Sequence, residues 1–200
     1  MDERTGQAAR TDDTSLLAGR AIAGDRESFG KLMAAYHGRI FAMVYGRVMS
    51  RMDAEDITQE VFASAFRGIG TLRDPELFRP WLYRIAINAV NDFLRKKRMR
   101  SIFTLFSADR EDREYADPNP EPDTIERREF WKRLETFFSK LPTSEREVFR
   151  LKYLDGLSIR EIAEVLSKNE STVKTHLYRS VEKFRREEGL AGLLEGSCHE

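Results

Sequence analysis

Residues 155–187 read DGLSIREIAEVLSKNESTVKTHLYRSVEKFRRE, and their pattern decides the fold. Ser158 stands three residues before Glu161, the spacing of a capping box. Ile159, Ile162, Ala163 and Leu166 follow on one helical stripe. Ser167, Lys168 and Asn169 make a short polar turn. A second helix is expected from about Glu170 to Glu187. At about 100° per residue, Val173, Leu177, Val181 and Phe184 gather on one side of it. Thr172, Thr175, His176, Arg179, Lys183 and Arg186 gather on the other. Hydroxyls, an imidazole and guanidinium groups on one face suit a helix that meets base edges and phosphates in a major groove. An ordinary amphipathic helix with a solvated charged face has the same pattern.

Moving upstream, Phe130, Leu134, Phe137, Phe138 and Leu141 mark a helix, and Pro142-Thr143 restarts the chain. A further helix through Val148, Leu151 and Leu154 stops at Asp155-Gly156, a plausible glycine C-cap. Before this region lies SADREDREYADPNPEPDTIE, with three prolines and eight acidic residues. Such a segment buries little apolar surface and is expected to be flexible or extended.

The first half is also helical in pattern, with no convincing strand. Asp25 can cap a helix bearing Phe29, Leu32, Met33, Tyr36, Ile40 and Val44. Asp53 can cap the next, which carries Val61, Phe62, Ala65, Phe66 and Ile69 on a broad apolar face. Asp53, Asp56 and Glu60 share the opposite side, flanked by Glu55 and Gln59. Acids near a helix N-terminus complement its dipole, which explains Asp53 and Asp56 better than Glu60.

A third helix is expected from about Pro80 to Lys97. It is apolar around most of its girth and polar on one stripe, Arg84, Asn88, Asn91 and Arg95, with Trp81 at its border. Asparagine can pair with adenine, and arginine with guanine or phosphate. The basic run 95–100, RKKRMR, can grip phosphates. The preceding loop, GIGTLRDPELFRPW, brings Arg73, Phe78, Arg79 and Trp81 together, and aromatics beside arginines can stack on unpaired bases. Alternatively, Phe78 and Trp81 plug the core under that loop.

The chain has 200 residues, 34% of them charged, and a net charge of zero. That zero conceals a distribution. Residues 1–100 hold 17 basic against 13 acidic side chains, 101–126 hold 2 against 8, and 127–188 hold 15 against 11. Two mildly basic blocks thus flank an acidic connector, an arrangement suited to two separate nucleic-acid contacts. No apolar run approaches the roughly 20 residues of a membrane span, and no signal-peptide core opens the chain. The single cysteine, Cys198, beside His199, makes neither a disulfide framework nor a ligand set. No catalytic residue, metal or cofactor is expected, and the location expected is cytoplasmic. The expected fold is all-α. Two small helical domains, 14–99 and 127–188, are joined by a linker over 100–126, and the second ends in the helix-turn-helix. Residues 1–12 are expected to be disordered.

These pieces in this order resemble the extracytoplasmic-function (ECF) sigma factors of the sigma-70 family. The likeness rests on DAEDITQEVFASAF (53–66), FRPWLYRIAINAVNDFLRKKRM (78–99) and LPTSEREVFRLKYLDGLSIREIAEVLSKNESTVKTHLYRSVEKFR (141–185). It implies that Asp53, Glu55, Asp56, Gln59 and Glu60 dock on the large subunits of core RNA polymerase. It implies that Arg73, Phe78, Trp81, Arg84, Asn88, Asn91 and Arg95 serve the minus-ten promoter element. Ser171, Thr172, Lys174, Thr175, His176, Arg179 and Lys183 would then meet the minus-thirty-five element. Family members are commonly restrained by an anti-sigma protein. Two departures stand out: Ser167-Lys168 replaces the usual glycine and apolar residue in the turn, and His176 stands where arginine is common. The competing reading from the residues alone is a stand-alone helix-turn-helix regulator, which leaves the acidic face and the polar stripe unexplained.

Overall fold

The computed structural model describes residues 3–106 and 125–187, with side chains over 13–100 and 132–187. Among the described residues the chain is helical, without strands, and it divides into two compact units, residues 1–117 and 118–200. The helices of the first unit are α1 (Glu3–Ile22), α2 (Arg26–Val48), α3 (Arg51–Gly68) and α4 (Phe78–Phe106).

Asp25 caps α2 as its sequence position suggests, accepting the Glu27 N–H at 3.0 Å. The Ser28 hydroxyl donates to the same carboxylate at 2.6 Å. That hydroxyl bond, foremost among several influences, holds the Asp25 carboxyl below its ordinary pKa. The cap of α3 is Ser50 rather than Asp53: the Ser50 hydroxyl accepts the Asp53 N–H at 3.4 Å. Asp53 therefore lies within the first turn, where its charge complements the helix dipole.

Phe29, Leu32, Tyr36, Ile40 and Val44 of α2 pack on Val61, Phe62 and Ala65 of α3 and on Leu82, Tyr83, Ala86 and Val90 of α4 in one buried core. Met33 is the exception on the expected α2 face, being 42% exposed. Phe29 meets Phe66 edge to face at 5.2 Å, and Tyr36 meets Phe78 in the same manner at 5.5 Å.

Two expectations are corrected at the ends of this unit. The structure includes residues 3–12 in α1, where the sequence pattern leads one to expect disorder over 1–12. Downstream, α1 buries Ala18 and Ala21, small side chains that leave almost no apolar periodicity to read. At the other end, α4 runs to Phe106, beyond Lys97 and into the expected linker. No glycine or proline interrupts 98–106, and arginine, methionine and leucine all tolerate helix well. Residues 125 and 126 likewise belong to the next helix. The remainder of the linker, 107–124, and Cys198 with His199 lie outside the described residues.

The second unit contains α5 (Ile125–Lys140), α6 (Thr143–Phe149), α7 (Ile159–Leu166) and α8 (Glu170–Arg185). Its core is aromatic. Phe137 packs against Phe149 at 5.6 Å and Phe184 at 5.1 Å, and Phe149 also meets Tyr153 at 4.7 Å. Leu134, Phe138 and Leu141 complete the cluster. After α6 the chain makes a π turn over Arg150–Leu154, and Gly156 leaves it at φ +66°, a backbone region that favours glycine.

Candidate polymerase and promoter interfaces

On α3, Glu55, Asp56, Gln59 and Glu60 all point to solvent, and Asp53 is half-buried. Glu55 is engaged by Arg51 at 3.0 Å, one turn earlier. The buried residues Ala54, Ile57, Thr58, Val61 and Phe62 occupy the opposite side. The helix thus presents an acidic ridge whose backbone is fixed by core packing, a surface suited to a basic partner.

The loop after α3 is ordered by two short 3-10 turns, Ile69–Thr71 and Pro75–Leu77. Asp74 caps the second by accepting the Glu76 N–H at 3.0 Å. This geometry leads into α4, where Arg84, Asn88, Asn91 and Arg95 are exposed along one line. Arg95 pairs loosely with Asp92 at 3.1 Å on the surface, an exchangeable contact of small energetic weight. Arg73 is exposed and Trp81 half-buried beside Gly68.

Phe78 is a correction. Only 1% of it is exposed, and its ring is enclosed by Tyr36 and Trp81. Its place in the core leaves no open ring face, so Phe78 supports the loop, as the alternative reading of the sequence has it, while Trp81 is only half-buried.

In the second unit the helix-turn-helix forms as its capping signals indicate. Ser158 Oγ accepts the Glu161 N–H at 3.2 Å, and the Glu161 carboxylate accepts the Ser158 N–H at 2.8 Å. Asn169 caps α8 by accepting the Thr172 N–H at 2.8 Å. The turn between them departs from a glycine turn in residue type only. Ser167 takes the left-handed conformation, φ 51° and ψ 47°, and the Lys168 N–H reaches the Ala163 carbonyl at 2.9 Å. This is the six-to-one bond of a Schellman motif.

The exposed face of α8 is rotated from the one the sequence pattern favours. Ser171, Lys174, Thr175, Tyr178 and Arg179 are exposed, whereas Thr172 and His176 are half-buried. Ser180, on the side opposite Ser171, is fully buried, with its hydroxyl satisfied by the Leu177 carbonyl of the same helix. His176 Nδ1 is shielded from solvent without a hydrogen-bond partner. Lys183 is held by Glu145 of α6 at 2.7 Å. Tyr178, 72% exposed near the centre of this face, was not among the expected contacts. Its spacing from Ser171 and Lys174, i, i+3 and i+7, is the signal that places it there.

Among the described residues no group of acidic, histidine or cysteine side chains is arranged to hold a metal ion. No described helix is long and apolar enough to cross a membrane.

The sigma-70 region 2 family model matches residues 32–100, and the sigma-70 region 4 model matches residues 131–184. The ECF RNA polymerase sigma factor BldN of Streptomyces coelicolor is 34% identical over 185 residues, covering 90% of this chain and 68% of that protein. The ECF RNA polymerase sigma factor SigW of Bacillus subtilis is 32% identical over 169 residues, covering 82% of this chain and 90% of that protein. Among solved structures, CnrH in complex with the cytosolic domain of CnrY shares the fold with a TM-score of 0.64 at 24% identity, covering 92% of this chain and 98% of that one. The two matched regions contain the α3 ridge, the α4 stripe and the helix-turn-helix. The chain belongs to the ECF group of the sigma-70 family, the RNA polymerase sigma factors that bind core polymerase and direct promoter-specific initiation of transcription.

Proposed function

We propose that the two units divide the work of promoter recognition between α4 and α8, with α3 as the anchor on polymerase. The observation that carries this reading is the coincidence of three exposed polar faces with three rigid supports. The α3 ridge, centred on Asp56 and Glu60, docks on a basic surface of the large subunits. Arg84, Asn88, Asn91 and Arg95 follow the minus-ten DNA, with Arg73 on the backbone and Trp81 against an extruded base. Capture of one base offsets an unstacking cost of a few kcal/mol.

The exposed side of α8 reads the upstream element through Ser171, Lys174, Thr175 and Arg179, with Thr172 and His176 at its edge. A good bidentate base contact contributes about 1–3 kcal/mol of discrimination. Neither unit is strongly basic, so free protein binds DNA weakly. Polymerase raises the effective concentration of the second contact once the first has formed. The reaction needs no catalytic side chain in this subunit. Its site of action is the cytoplasm, where an anti-sigma protein restrains it. The complex of the sigma factor RpoE with the anti-sigma factor NepR from Bartonella quintana, a structure of similar fold, supports that restraint by analogy.

Run-off transcription over a genomic promoter library, with bacterial core polymerase and with or without the protein, tests the assignment. Promoter-specific transcripts that depend on the protein are expected, and Asn88→Ala shifts the minus-ten base profile. Absence of core binding, together with dimeric binding to paired half-sites, would instead favour a stand-alone regulator.

A further inference from the structure

Lys183 lies on the same stripe of α8 as Thr172, His176 and Arg179, so its sequence position marks it as a DNA contact. The structure gives it a different partner. Its ammonium is 2.7 Å from Glu145 Oε2, across the α6–α8 contact. The two partners are unequally placed. The Glu145 side chain is only 7% exposed, whereas Lys183 is 46% exposed. Glu145 is the one charged residue among the described buried side chains.

We propose that Glu145 withholds Lys183 from promoter DNA and so sets the number of phosphate contacts that α8 makes. The inference rests on the reading of α8 as the DNA-contacting helix. Its physical basis is asymmetry. Moving Lys183 to a phosphate exchanges one half-hydrated ion pair for another, but it strands a buried carboxylate. A buried charge stripped of its partner is strongly unfavourable. A single phosphate contact on a duplex gives back little by comparison. It steepens the dependence of log affinity on log salt by about 0.9, or about 3.5-fold in affinity between 50 and 200 mM salt. Lys183 therefore stays with Glu145 when DNA arrives, and Glu145 acts as a positioning residue. The consequence is a lower sequence-independent affinity than the charges along α8 imply.

The test is the salt dependence of promoter binding by reconstituted holoenzyme between 50 and 200 mM KCl. Glu145→Gln keeps the shape and a hydrogen-bonding group but frees the lysine, and the slope is expected to steepen by about 0.9. Lys183→Gln in the wild-type background removes the cation and retains a donor to Glu145, and it leaves the slope unchanged. Lys183→Gln added to Glu145→Gln returns the slope to the wild-type value. A purely structural role for the pair changes thermal stability without this pattern. The proposal is overturned if Lys183→Gln alone flattens the slope by about 0.9, or if a folded Glu145→Gln leaves it unchanged. Should Glu145→Gln fail to fold, the Lys183→Gln slope alone decides. Arg179→Ala separates the two levels. If it weakens binding to the upstream element while the Glu145 and Lys183 slopes disagree with expectation, the withholding fails and the α8 reading stands. If it leaves upstream binding unchanged, both fall.

Discussion

Ser167→Gly is expected to stabilise the second unit without altering its recognition helix. Ser167 sits at φ 51° and ψ 47°, where a side chain's Cβ crowds the following carbonyl. That conformation costs a non-glycine residue about 1–2 kcal/mol. Glycine removes the crowding but loses about 0.5–1 kcal/mol through the greater freedom of its unfolded chain. The net gain is about 0–1.5 kcal/mol, about 0.75 at the midpoint. For a unit of this size, 1 kcal/mol moves the melting temperature by about 4–8 °C, so the midpoint gain corresponds to a rise of about 3–6 °C. Thermal unfolding monitored by amide exchange, resolved for each unit, makes the measurement, with the first unit as an internal reference. Ser167→Val supplies the opposite sign, because a β-branched residue at positive φ is a marked outlier. The Schellman bond from Lys168 to Ala163 uses backbone atoms only, so promoter preference should persist in Ser167→Gly. A lowered melting temperature for Ser167→Gly, or an unchanged one for Ser167→Val, would refute the argument from backbone strain.

Asp56→Lys combined with Glu60→Lys should abolish core polymerase binding in a pull-down while circular dichroism remains that of the native protein, since both side chains are exposed. Native-level retention by polymerase would remove α3 from the docking surface. Phe78→Ala should destabilise the first unit by about 3–5 kcal/mol in chemical denaturation, because the ring is buried against Tyr36. Trp81→Ala should cost less stability and impair promoter melting more, as measured by permanganate footprinting. The pH dependence follows from Asp25, whose folded pKa lies below its unfolded value because Ser28 donates to it. A depressed carboxyl contributes stability above the unfolded pKa, and that contribution disappears as the pH falls through the folded one. Asp25→Asn should therefore diminish the acid-side loss of stability, and an identical acid profile would count against the cap as its source.

Helical class, two-part organisation and the helix-turn-helix could all be read from residue order alone. Ser158 with Glu161 and Asp25 before α2 act through local backbone groups, so their meaning survives without knowledge of the fold. The exposed Asp56, Glu60, Asn88 and Asn91 were legible for a similar reason: each stands opposite an apolar stripe that must turn inward. The tertiary structure decided what depends on partners distant in sequence. It placed Phe78 against Tyr36 of α2, rather than beside a base, and gave Lys183 to Glu145, 38 residues upstream. It rotated the open face of α8 toward Tyr178 and buried Ser180, a polar residue whose hydroxyl is satisfied within its own helix. It also drew α1 into the first unit through Ala18 and Ala21, where close backbone approach rather than large apolar side chains supplies the packing. Local hydrogen bonding and periodicity are properties of a segment, whereas burial and charge pairing are properties of the neighbours that the fold supplies.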